Sequence, residues 1–127
     1  MPTVDSNTNL PRSIKVTIPD GAAVSEAIPL FHARRPRGID FDMPAAWTAA
    51  DLGVQTSRDG TTWKDRVLAD GTRIKATTVA ADTVIQGDAG LWGAGSQNYM
   101  RLESIDTADE SAENQGADRE IWVTFYE

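Results

Sequence analysis

The chain has no cysteine and a single histidine, His32. Without thiols there are neither disulfide staples nor thiolate nucleophiles, and small secreted domains often depend on such staples. The absence points to folding in a reducing cytoplasm. Transition-metal sites are built from imidazole and thiolate ligands, and one imidazole does not make one. A Ser-His-Asp site would have to be built on His32, which lies among Arg34, Arg35 and Arg37. Neighbouring positive charge disfavours the protonated ring. Long apolar runs are missing too, and none approaches the ~20 residues of a membrane span. The N-terminal Met1-Pro2-Thr3-Val4-Asp5-Ser6-Asn7 lacks the basic start and apolar centre of a signal peptide. Basic charge is scarce: 12 Lys and Arg stand against 19 Asp and Glu, for a formal net charge of −7. That balance argues against general nucleic-acid binding, which needs cations to neutralise phosphates. No catalytic residue, cofactor or metal ion is expected, and the chain is read as non-enzymatic.

What the chain does have is period-two patterning. In Ser13-Ile14-Lys15-Val16-Thr17-Ile18 the apolar residues share one face and Lys15 and Thr17 the other. Gly38-Ile39-Asp40-Phe41-Asp42 repeats this, with Ile39 and Phe41 inward. Leu52–Thr56 and Thr61–Leu68 flank Arg58-Asp59-Gly60, and Asp-Gly supplies the positive φ of a tight hairpin. Further strands are read around Ile74, over Val79–Gln86, over Asn98–Ile105 with Met100 and Leu102 inward and Tyr99, Arg101 and Glu103 outward, and over Arg119–Glu127. Thr48 with Asp51 three residues on fits a capping box, so one helical turn is expected there. Turn signals such as Pro19-Asp20-Gly21 and Asp70-Gly71 recur every eight to twelve residues. At 127 residues the chain suits one core. The expected fold is all-β: a single β-sandwich or jelly roll of about eight strands over 13–127, preceded by an extended arm over 1–12. The arm is either a frayed terminus or a reach onto a neighbouring subunit.

Three groups of side chains could carry a function. The first is the basic stretch Arg34-Arg35-Pro36-Arg37. It reads as a solvated turn, as an inter-subunit salt contact to an acidic loop, or as a site for an anionic glycan or phosphate backbone; arginine suits bidentate carboxylate pairing. The second is aromatic. In Ile121-Trp122-Val123-Thr124-Phe125-Tyr126 the alternation turns Trp122 and Tyr126 away from the core, where large aromatics are covered by the domain's own loops or mark a subunit interface or a sugar platform. Arg34, Arg35, Arg37, Trp122 and Tyr126 are the interface candidates. Trp47, Trp63 and Trp92 are placed inside or at loop bases, and serve as glycan-platform candidates in the alternative reading. The third is acidic: the 106–118 loop carries Asp106, Asp109, Glu110, Glu113 and Asp118, and reads as a mobile acidic loop or a calcium site, without the EF-hand pattern. Asp40 and Asp42 share one strand face, and a carboxylate pair can hydrolyse glycosides when suitably spaced. A solvated strand face is the plainer account.

Two resemblances arise. Ser57-Arg58-Asp59-Gly60-Thr61-Thr62-Trp63, then Tyr99-Met100-Arg101-Leu102, then Ile121-Trp122-Val123-Thr124-Phe125 resembles discoidin-like (coagulation factor 5/8 type C) sandwiches, which implies sugar or lipid-headgroup binding through loops at one end. Pro44-Ala45-Ala46-Trp47, the Ser57–Trp63 hairpin and Asn114-Gln115-Gly116-Ala117-Asp118-Arg119 together resemble small acidic virion proteins of tailed bacteriophages. That likeness implies a structural role on the particle. The expected function is therefore capsid decoration or cement, bridging capsid subunits as a homo-oligomer, with a trimer the guess and the major capsid protein or other virion proteins as partners. A carbohydrate-binding or structural module of the neck, tail or baseplate is the alternative. Neither membrane nor nucleic acid is expected as a partner, and the place of action is the virion.

Overall fold

The computed structural model describes residues 12–30, 36–77, 79–93 and 98–126. Nine strands follow the alternation: β1 (Arg12–Ile18), β2 (Ile28–Pro29), β3 (Gly38–Asp42), β4 (Asp51–Ser57), β5 (Lys64–Asp65), β6 (Lys75–Ala76), β7 (Val84–Asp88), β8 (Tyr99–Ile105) and β9 (Arg119–Tyr126). They form two antiparallel sheets. The first runs β1-β9-β3-β7; the second runs β2-β8-β4-β5, with β6 also paired to β4. Among the described residues there is no helix. The β-sandwich expected from the patterning is the observed fold, with nine strands where about eight were read, because β2, β5 and β6 are only two residues long.

The inner faces are made by the apolar half of each alternation. Val16, Ile18, Ile39, Phe41, Ile121, Val123 and Phe125 come from the first sheet, and Ile28, Leu52, Val54, Met100 and Leu102 from the second. Burying one such side chain is worth roughly 1.5–3 kcal/mol. Trp92, which follows β7, closes one side of this core, its ring centroid 4.6 Å from that of Phe41.

Three local expectations are corrected. No helical turn forms at Thr48. Its N–H donates instead to Gln115 Oε1 at 2.9 Å, and its hydroxyl accepts from the Gly116 N–H at 3.1 Å and from Arg119 Nη2 at 3.2 Å. Tertiary partners thus take the groups a cap would have used, and Asp51 opens β4. The turn after β4 is not a tight hairpin: pairing resumes only at Thr56↔Lys64 and Gln55↔Asp65. Gly60 does adopt φ +84, but Asp59 organises a wider loop, its Oδ1 accepting the N–H groups of Thr61 at 2.9 Å and Thr62 at 2.8 Å. Such Asx turns compete with a two-residue connection. Finally, Glu103 lies on the outward face of β8 yet is buried, because a charged partner sits over it.

Candidate functional site

The outer face of the first sheet is set by register. Lys15, Trp122, Asp42 and Val84 stand in one row across β1, β9, β3 and β7, and Ser13, Thr124, Asp40 and Gln86 stand in the next. Trp122 is 47% exposed and Val84 60%. Around them lie Asp40, Asp42, Asp88 and Glu120, with the cation Lys15, whose Nζ is 3.5 Å from Glu120. Only a thin web crosses this face, such as the Ser13–Thr124 hydroxyl bond of 2.8 Å. The result is a polar, acidic surface with one large ring at its centre.

Tyr126 shares the face but not the freedom. Its ring lies across Gly38, where any Cβ would overlap it, and its hydroxyl accepts from Gln86 Nε2 at 2.8 Å. It is folded down onto its own sheet. Of the basic stretch, Arg34 and Arg35 lie outside the described residues, as do His32 and residues 1–11 of the expected 1–12 arm; Arg12, read as the arm's last residue, instead opens β1. Arg37 is exposed beside this face, its N–H donating to Tyr126 O at 2.9 Å.

The outer face of the second sheet is closed by the chain's own 58–77 excursion. Arg73 reaches Glu103 at 2.5 Å and Asp65 at 3.1 Å, with only 6% of its side chain exposed. Lys75 bridges Asp51 at 3.1 Å and Glu110 at 2.9 Å, and the bonds to Glu110 and then Asp51 hold its ammonium charged above the usual lysine range. Arg101 donates to Gln55 Oε1 at 2.8 Å and lies 4.4 Å from the centroid of the Trp63 ring. Removal of one partner from such a buried pair strands the other's charge.

A cleft of about 810 Å³ opens between the 57–67 segment and Asn98, within the size range of small-ligand pockets. Its carboxylates are already committed. Asp59 accepts from Thr62, Thr61 and the Ser57 hydroxyl, which hold it far below the usual aspartate range. Asp65 accepts from Gln55 Nε2 at 2.9 Å and faces Arg73. Arg66 donates to the carbonyls of Leu91 and Gly90, bracing the loop after β7.

The three remaining tryptophans do not form a platform. Trp92 is buried against Phe41. Trp47 packs against the core and donates from Nε1 to Ala50 O at 3.2 Å. Trp63 is half-buried with Arg101 over its ring. Nor do the acids of 106–118 converge. Asp106 Oδ1 accepts from the Ala108 and Asp109 N–H groups, and Asp109 from Ser111. Among the described residues no three His, Cys, Asp or Glu side chains are grouped to hold a metal ion. Asp40 and Asp42 sit as read, on the open outer face of β3.

The elements above define a class: an antiparallel two-sheet sandwich with one outer face sealed by its own charges and the other, among the described residues, open. Among solved structures, the chain is similar to the SPBc2 prophage-derived protein YomS, with a TM-score of 0.52 at 9% identity, covering 97% of this chain and 100% of that one. The likeness shows the fold. No protein-family model and no curated protein matches the chain.

Proposed function

We propose that this chain is a non-enzymatic structural protein of a phage particle, a decoration or cement protein that bridges capsid subunits. The open face around Trp122 carries this reading: a 47%-exposed indole in a regular sheet, bordered by Asp42 and Lys15, with no part of its own chain laid over it among the described residues. A half-exposed ring on a rigid surface is the kind of anchor that interfaces bury. The surrounding carboxylates call for a partner surface with basic groups at its rim. The prophage origin printed for YomS supports the phage context, and a firm attachment would bury over ~1,000 Å² in total. Many identical copies multiply weak contacts.

Counting copies in a purified particle tests the reading. Hundreds per particle are expected. A handful would move the protein to the neck or tail, and none would overturn a virion role.

The second reading, a carbohydrate-binding module of the neck, tail or baseplate, is favoured by the 57–67 cleft, whose lining includes Thr62 and Lys64, the chain neighbours of Trp63. Retention of a glycan on an array, lost in Trp63→Ala, would support it over the cement reading.

A further inference from the structure

The edges of the two sheets differ. Those of the second sheet are two-residue strands, β2 on one side and β5 and β6 on the other. Short edges are a common protection against unwanted pairing. In the first sheet, β7 ends in a turn in which the Trp92 N–H occupies the Asp88 carbonyl at 3.1 Å, and Gly87 interrupts its side-chain ladder. Strand β1 has neither device. It is seven residues long and paired on one side over its whole length.

Which groups point outward follows from one bond. The Thr17 N–H donates to the Glu26 carboxylate, not to β9. In an antiparallel pair, outward and inward groups alternate by residue. Ser13 and Lys15 therefore present their N–H and C=O away from β9, and among the described residues nothing accepts or donates there. Glu26 closes only the C-terminal half of the edge.

We infer that β1 pairs with β1 of a second copy, antiparallel about a two-fold axis through Ile14. This register sets Ser13 against Lys15 of the other copy, and Lys15 against its Ser13, each pair exchanging two N–H···O bonds. No like charges face one another directly. Ile14, partly buried at the margin of the core, meets its own counterpart and gains cover. A two-fold contact is self-complementary and closes on itself. The first sheet then runs unbroken through both copies, and the two Trp122 rings stand on one continuous face. The pairing does not depend on the role in a particle.

The test is sedimentation equilibrium on the full chain with two variants at Ser13. Both lose the Ser13–Thr124 hydroxyl bond, so any difference between them reports what lies opposite. Ser13→Lys places like charges across the strand pair and Ser13→Glu opposite charges. Relative to the wild-type dimer, Ser13→Lys should raise the dissociation constant roughly two- to thirtyfold, and Ser13→Glu should lower it, from two cross-strand pairs per dimer. Lys15→Pro removes an outward N–H while sparing β9 pairing, and should shift the dimer to monomer. A monomer at millimolar concentration overturns the inference. So does a trimer, which would mark head-to-tail pairing of β1 with β7, or a dimer indifferent to both Ser13 variants, which would place the contact elsewhere.

Discussion

The two sheets bury their inner faces alike and treat their outer faces in opposite ways. On the second, Arg73, Glu103, Asp51 and Lys75 are drawn under the 58–77 excursion and ion-paired within the chain. On the first, Trp122 and Val84 are left in solvent beside unroofed carboxylates. Unusual residues on a strand's outward side therefore have two meanings. Where the chain folds over them they are structural, and where it does not they are available to a partner.

Substitutions that cost the fold on one face and not the other would sharpen this contrast. The largest loss is expected on the closed face. Arg73→Ala leaves Glu103 buried without its cation and should cost about 3–5 kcal/mol, lowering the melting temperature by on the order of 10 °C or more. Trp92→Ala empties the space beside Phe41 and should cost about 3–5 kcal/mol in urea titration. A near-neutral result there would mean the indole is not a core element and would reopen the platform reading.

A smaller effect concerns the loop beside the closed face. Folding depresses the Asp59 carboxyl, so its contribution is complete above the ordinary aspartate value of 3.8 and is lost as pH falls below it toward the folded value. Asp59→Asn should flatten the decline of melting temperature with falling pH below about pH 4. Some slope should remain, because Asp70 and Asp109 are lowered by turns of the same kind. The smallest effect on stability is expected on the open face: Trp122→Ala should change unfolding by less than about 0.5 kcal/mol, while under the proposed role its occupancy on the particle drops. A large loss of stability from this variant would erase the distinction between the two faces.

Much of the architecture was legible from alternation alone. Ser13–Ile18, Gly38–Asp42 and Arg119–Tyr126 each orient their side chains as the pattern dictates, and Trp122 was picked out as outward. The misses share one cause. Arg73 and Glu103 are thirty residues apart, so nothing in local periodicity announces their pairing or the burial that follows. Tyr126 lies on the outer face as the alternation places it, but nothing local announces that its ring lies flat, because Gly38, which makes room for it, belongs to another strand. Thr48 carried a sound capping signal that Gln115 and Arg119 outbid from across the fold. The one local clue to the closed face was Gly53, a gap in β4 that leaves Arg73 room.

Gln115 has a further consequence. It is buried, donates to Ser104 Oγ at 2.8 Å and to Thr48 O at 3.1 Å, and its backbone bonds Gly21 and Ala22. The base of the acidic loop is thereby pinned by a neutral amide. The tip still touches the body where Glu110 meets Lys75, and an epitope or affinity tag spliced in at Ala108 should be displayed without disturbing the sandwich as long as that contact is kept.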